Sequence, residues 1–472
     1  MTTALVLGGG LAGMAAAAAL APHVDTVIVV ESDRLPAGPE PRRGLPQAHH
    51  NHVLMAGGAK ALDALLPGTT ARLYEAGAHH RKIGRFLLLG PDVWSRCSDG
   101  DAFAITCSRH LVDHTVRSQA LAGGKVELID GTKVIGLVGD QSRVTGARVE
   151  AEDGAVRVIR ADLVVDATGS RSKATQWLTD LRVGPVKEDL LDTGLAYVGR
   201  TYEQPAGFGA DFPGVLIQAR PGSGPEAAGG ALMPQEDGRW IVALMGPRGN
   251  HPPTDEAEFL AFARAMRHSV IGDLLAEARP VTPMRSARGL ANRRRHFDRA
   301  RMPEGFLALG DAVMILSPNF GTGMAVAAMG ALALRTQLER SGFGPGLARR
   351  VQKAVAGIGA GPWQMAITND RWFPGVETNL KLSGGDGQRK FGVRFAKVIA
   401  DNPAVARRMQ DISALVAPLS TMMSPSMMFA VMRGPQRPPL TAAEAIGQFP
   451  QLASVRPGAA PGRLPEPADA AQ

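Results

Sequence analysis

Residues 4–31 constrain the fold more tightly than any other stretch. An apolar run, Ala4-Leu5-Val6-Leu7, leads into Gly8-Gly9-Gly10-Leu11-Ala12-Gly13, then MAAAAALA, then Thr26-Val27-Ile28-Val29-Val30 and Glu31. Strand, glycine turn, helix, strand and acid form a βαβ unit that receives a nucleotide. Gly8 permits the tight turn, Gly10 lets backbone approach a pyrophosphate, and Gly13 allows close helix–sheet packing. Glu31 would accept hydrogen bonds from the adenosine ribose hydroxyls, which does not choose between NAD and FAD.

Two later strands, at 161–166 and 305–309, end in Ala167-Thr168-Gly169 and in Gly310-Asp311. Such strand ends are where open α/β sheets bind ligands. Between them the texture changes. Residues 192–202 and 214–219 are predicted strands, and 229–246 are predicted to form a hairpin turning at Glu236-Asp237-Gly238. The expected fold class is therefore α/β. A Rossmann-like nucleotide domain (1–75, 100–185 and 285–345) carries an inserted β-rich substrate domain (76–99 and 186–284). A helical region follows at 346–434, and residues 435–472 are expected to be a Pro/Ala-rich tail whose last fifteen or so are disordered. Within that tail only LTAAEAIGQF is predicted helical. The Met-rich run 412–432 contains Pro418 and Pro425, which argues against a membrane span; it is expected to form helical core or a pocket wall, with a membrane-surface contact as the lesser alternative.

Composition narrows the function classes. Hydrophobic residues at 45% with charged residues at 20% are those of a globular protein, and two cysteines are too few for a disulfide framework. The N-terminus has no basic leader, so a cytoplasmic location is expected. The net charge of +8 is an arginine excess beside only three tyrosines, without the aromatic–basic interleaving that single strands stack on. No nucleic-acid partner is expected.

The segment Gly310-Asp311-Ala312-Val313-Met314-Ile315-Leu316-Ser317-Pro318-Asn319-Phe320-Gly321-Thr322-Gly323-Met324 decides the cofactor. A strand delivers Asp311, which can hold a ribityl hydroxyl, and the glycine pair opens a helix whose free N–H groups suit an anion. A reduced flavin is an anion at its N1/O2 edge. Here the sequence resembles the FAD-dependent monooxygenases of the p-hydroxybenzoate hydroxylase type. The seven-residue step from Asp311 to Pro318 is similar to squalene epoxidase and the polyether polyene epoxidases, while the run Arg42-Arg43-Gly44-Leu45-Pro46-Gln47-Ala48-His49-His50-Asn51-His52, and Pro362-Trp363 with Asp370 and Pro374, are similar to the epoxidases of lasalocid- and monensin-type pathways.

The resemblance implies FAD contacts at Gly8, Gly10, Leu11, Ala12, Gly13, Glu31, Ser32, Arg43, Gln47, Arg109, Val134, Asp311, Gly321, Thr322, Gly323 and Met324. It also implies a substrate wall that includes Pro318 and Phe320, and apolar Leu232 and Trp240 of the inserted domain are added to it. Phe320 and Thr322 depart from the tyrosine and the histidine or glutamine usual in those epoxidases. In such enzymes reduced flavin and dioxygen form a C4a-hydroperoxide that oxygenates the substrate, and no catalytic side chain is required. The expected substrate is a hydrophobic small molecule, most simply a polyketide or terpenoid alkene; ring hydroxylation and a flavin dehydrogenase or reductase are the alternatives. Electrons come from NAD(P)H directly or from a flavin reductase. The cluster Arg285–Arg301 fits either a cofactor phosphate or a solvated approach to the next strand. His49, His50 and His52 fit a flavin-side loop better than a metal site, which usually wants three ligands.

Overall fold

The computed structural model describes residues 1–382 and 384–453. The predicted final disordered stretch lies outside the described residues. Five parallel strands form the central sheet, in the order Phe306–Ala308, Leu163–Asp166, Thr3–Leu7, Thr26–Val30, Val126–Ile129. Every residue from Ala4 to Leu7 is wholly buried, as are Val164 and Val165. Near-continuous apolar runs are what a parallel sheet covered on both faces demands. Helix Leu11–Leu20 covers it, and helix Gly323–Ser341 packs on that helix and on helix Ala56–Leu65. The packing is close enough that a Cβ on Gly58 would stand 2.5 Å from the Ala325 Cα.

A seven-stranded sheet lies apart from this one. Its spine is Ala196–Glu203, Arg239–Gly246, Gly229–Gln235 and Val215–Ile217, all antiparallel, and Leu87–Leu89 adds a parallel edge. The 229–246 hairpin turns through Asp237 and Gly238 at φ +60° and +62°, the two positive angles of a type I′ turn. Alternation gives this sheet two different faces. Leu232, Trp240, Val242 and Leu244 point into a core with Phe259, Phe262 and Leu274 of two covering helices. Ala231, Met233 and Ile241 point the other way, towards Val53 and Phe86.

Two expectations need correcting. Helix Ala442–Gly447, which opens on a capping box from Thr441 and Glu444, falls within the segment predicted helical, but residues 440–452 do not behave as a tail: Ala445, Phe449 and Leu452 are buried in the same core as Trp240. The Cys97 N–H donates to Gln448 (2.8 Å), which pins this segment to the chain 351 residues earlier. The Met-rich run is only partly interior. It breaks into a short 3-10 turn, Leu419–Met423, and helix Pro425–Arg433; Met427 and Val431 are buried, but Met423, Phe429 and Met432 are 71%, 66% and 75% exposed. The two prolines stop one long helix from forming, so no single face can gather all the methionines. Among the described residues no helix is long and apolar enough to cross a membrane.

Candidate cofactor site

The parallel register brings three loops to one sheet edge. Leu7 pairs with Asp166, and Asp166 with Ala308, so Gly8, Ala167-Thr168 and Gly310-Asp311 all leave the sheet at the same level. Gly8 holds φ +102°, and a Cβ there would meet the Ala167 carbonyl at 2.5 Å; at Gly13 it would meet the Gly8 carbonyl at 1.8 Å. Both glycines are therefore required by the turn itself. Gly310, at φ +60°, leaves room for Ala12 of the first helical turn, which a Cβ would approach to 2.8 Å. That contact joins two motifs almost 300 residues apart. The Asp166 carboxylate, wholly buried, accepts from the Thr168 N–H (2.9 Å) and hydroxyl (2.6 Å), which locks the middle loop.

Gly10 and Gly323 differ from these glycines. At Gly10 an added Cβ would have only Arg42 Nη2 near it, at 3.5 Å, and at Gly323 it would meet nothing within 4 Å. Both stand at helix N-termini and face open space, as backbone that accepts a ligand must.

Glu31 is 7% exposed and takes hydrogen bonds from the Gly9 N–H (2.7 Å), the Ser32 hydroxyl (3.0 Å) and the Asp33 N–H (3.0 Å). Beside it, Arg42 is enclosed by Glu31 (3.3 Å), Asp33 (3.3 Å) and Asp113 (3.1 Å). Burial works against its charge, but Asp113 and Glu31 outweigh it and raise its pKa. Arg43, the arginine chosen from sequence, is exposed, and so is Gln47. Successive side chains of this irregular segment point to opposite sides, and sequence alone does not say which side faces the glycines. Arg42 also occupies a position that spacing could not reveal, because its carboxylate partners come from the second strand's end and from helix Arg109–Ala122.

Arg109 opens that helix, which Ser108 caps by accepting from the Leu111 N–H (3.1 Å). Its guanidinium pairs with Asp113 (3.4 Å) and lies close enough to Asp311 to oppose the rise in pKa that burial causes there. It also stands near His52, whose pKa burial and then Arg109 lower to about 3. The histidines share no metal geometry. His49 meets the His110 ring edge-on, His50 meets Tyr197, and His52 Nδ1 lies 2.9 Å from the His50 carbonyl. Burial, reinforced by His49, lowers the His50 pKa to about 4. Among the described residues no group of three or more His, Cys, Asp or Glu is arranged to hold a metal ion.

Several buried polar atoms have no partner among the described residues: Arg42 Nε, Arg109 Nε, His50 Nδ1, Asn51 Oδ1 and His110 Nδ1. Buried donors without partners are costly, and the Nε atoms of Arg42 and Arg109, two guanidiniums that share Asp113 beside this edge, suit a large polar, anionic ligand such as FAD. Of the remaining predicted contacts, Ser32 is exposed and bonded to Glu31, and Leu11 and Met324 are core residues with backbone at helix starts. Val134 lies in strand Thr132–Gly139, whose first residue donates to the Glu31 carbonyl (2.8 Å).

Next to the edge, Pro318 and Phe320 form a single turn that leads through Gly321 (φ +62°) to buried Thr322. Asn319 of this turn accepts from the Tyr197 hydroxyl (2.8 Å). Behind it, Asn292 donates to Asp370 (2.7 Å) and accepts from the Ser317 N–H (2.7 Å), and the Ser317 side chain lies against both Tyr197 and Asp370. Burial raises the pKa values of Tyr197 and Asp370. None of these five polar positions was singled out as a site residue from sequence; Asp370, Ser317 and Asn319 appeared only within family-like motifs. Conversely, Leu232 and Trp240 are wholly buried on the far face of the seven-stranded sheet and do not border this region. A one-residue shift along each strand gives Met233 and Ile241, which do face it.

A family model described as "FAD binding domain" matches residues 1–345. The chain is 29% identical over 394 residues to Protein Rv3254 of Mycobacterium tuberculosis strain H37Rv, covering 78% of this chain and 80% of that one. Among solved structures it is similar to a flavoprotein/dehydrogenase from Cytophaga hutchinsonii (TM-score 0.65, 15% identity, 91% and 96% of the two chains). It is also similar to p-nitrophenol 4-monooxygenase PnpA from Pseudomonas putida DLL-E4 (TM-score 0.64, 16% identity, 89% and 100%).

Proposed function

Since the chain belongs to the FAD-binding-domain family, we propose that it is an FAD-dependent monooxygenase acting on an apolar substrate held between the parallel sheet's ligand edge and the inner face of the seven-stranded sheet. Bound FAD, once reduced by NAD(P)H or a partner reductase, supplies the oxygen-transfer chemistry with dioxygen. The chain's own residues bind and orient. The first helix and Arg42 receive the pyrophosphate region, Glu31 the ribose, Asp311 the ribityl chain, and the helix starting at Gly323 the flavin's anionic edge.

The observation that carries this reading is the convergence of Gly10, Asp311 and Gly323 on one edge, faced by an apolar wall. Val53, Phe86, Met233 and Ile241 cluster there, and Met55 packs beside Val53 and Phe86. They would exclude water from the reacting atoms.

Within this class we favour epoxidation of a polyketide- or terpenoid-like alkene. An alkene needs no deprotonation, and three ionisable side chains near the wall, Tyr197, His50 and His52, are poor proton acceptors. Tyr197 is held in its neutral form, and His50 and His52 have pKa values near 4 and 3. The Tyr197–Asn319 pair supports ring hydroxylation as the second reading, because it offers a polar handle for a substrate hydroxyl. The test is incubation of FAD-loaded protein, a reductase system and candidate polyenes or phenols under ¹⁸O₂ with mass detection. Label in an epoxide supports the first reading and label in a phenol the second. Turnover of substrate without label in any product would refute monooxygenation.

A further inference from the structure

Among the described residues, nothing covers an apolar strip on the C-terminal helices. On helix Pro425–Arg433, Phe429 and Met432 stand one turn apart on the outward face, 66% and 75% exposed, while Met427 and Val431 fill the inward face. Met423 extends the strip at one end. At the other, helix Asp386–Asp401 lies alongside: the Arg394 guanidinium donates to the carbonyls of Val431 and Met432, and Phe391, 45% exposed, stacks on Phe395 one turn away. Solvated apolar side chains this large and this close together mark a contact surface.

The charge around the strip says what covers it. Arg389 and Lys390 precede Phe391, Arg394 lies between the two helices, and Arg433 follows Met432; all four are exposed. From residue 387 to 437 the sequence holds eight lysines and arginines against two aspartates, and one of the two, Asp401, is paired with Arg437 (2.7 Å). A second copy would bring the same positive patch against this one and be repelled. An anionic bilayer complements both features, with acyl chains for Phe429 and Met432 and headgroups for the ring of cations.

We infer that the strip Phe391–Met423–Phe429–Met432 with its basic rim docks this protein onto an anionic lipid surface. No covalent step is involved, and the docking holds whichever substrate the cofactor site takes. The experiment is sedimentation of the FAD-loaded full chain with vesicles of phosphatidylglycerol and phosphatidylcholine, or of phosphatidylcholine alone. Partitioning should be at least tenfold stronger on the anionic vesicles and fall as salt rises. The double variant Phe429→Ser/Met432→Ser should lower it by about 100-fold, since each lost side chain is worth about tenfold. Arg389→Gln/Lys390→Gln should weaken binding to anionic vesicles only. The variants lie at the surface, so flavin content and unfolding temperature should match the parent. Equal pelleting on both vesicle types, or variants that bind like the parent, would overturn the inference. So would a concentration-dependent dimer in vesicle-free ultracentrifugation that the Ser variants abolish.

Discussion

Replacing Gly10 with alanine separates what the turn needs from what its ligand needs. Gly10 has φ −78° and ψ −175°, extended backbone that any residue adopts, and a new Cβ would touch only Arg42 Nη2 at 3.5 Å. Without flavin the variant should therefore be nearly as stable as the parent, losing about 0.5 kcal/mol for alanine in place of glycine at an N-cap. With flavin, the methyl group occupies the space through which a pyrophosphate reaches the helix N-terminus. Overpacking of that kind costs about 1–3 kcal/mol, which is roughly a 5- to 150-fold rise in Kd. Gly13→Ala is the contrasting case, because its Cβ would lie 1.8 Å from the Gly8 carbonyl and must break the turn with or without flavin. The assay is titration of apoprotein with FAD, followed by flavin fluorescence, alongside urea unfolding of the apoproteins. A Gly10→Ala protein that binds FAD within twofold of the parent would refute the assignment of this turn to the pyrophosphate. A Gly10→Ala apoprotein as destabilised as Gly13→Ala would refute the division between the two glycines.

Gly323→Ala should leave the apoprotein unchanged or up to about 1 kcal/mol more stable by helix propensity, yet weaken FAD binding about tenfold or more; unaltered FAD titration would remove the flavin from that helix. Tyr197→Phe should keep FAD binding within about threefold, since only the hydroxyl's contacts with Asn319 and Ser317 are lost, while kcat/KM falls about tenfold for the loss of an ordered loop; an unchanged kcat/KM would make these contacts purely structural. His50 carries a pH signature. Its folded pKa, about 4, lies below the unfolded 6.5, so the folded state binds fewer protons and loses stability as pH falls from about 6.5 towards 4. At pH 5 this amounts to about 2 kcal/mol relative to pH 7, and urea unfolding of His50→Asn should show an acid loss smaller by about that much. Chelators should leave FAD content and turnover unaltered, whereas His52→Ala should weaken flavin retention; the reverse pattern would restore a metal site to this loop.

The nucleotide unit was legible from residues 4–31 because each requirement is local. A positive φ at Gly8, a missing Cβ at Gly13 and an acid after the second strand are all visible within one βαβ span. The 229–246 hairpin was legible for the same reason, since the Asp-Gly turn and the alternating strands are neighbours in sequence. The helix opening after Gly321-Thr322-Gly323 belongs to the same class of signal. In each case backbone sterics and side-chain period act over a few residues, and the order of residue types alone is enough to write them down.

Tertiary packing decided the rest. Arg42 rather than Arg43 turned inward because Glu31, Asp33 and Asp113, scattered over 82 residues, enclose a single cation. Leu232 and Trp240 fell on the core face of their sheet, and Met233 and Ile241 on the ligand face, because strand alternation states that two faces exist but not which layer covers each. The Tyr197–Asn319 and Asn292–Asp370 contacts join strands, a loop and a helix whose sequence positions carry no common pattern. Towards the C-terminal side, apolar residues 440–452 found a partner in the β-rich core, while Phe429 and Met432 found none among the described residues. Apolar character is written in the sequence; the layer that covers it is set only when the whole chain has packed.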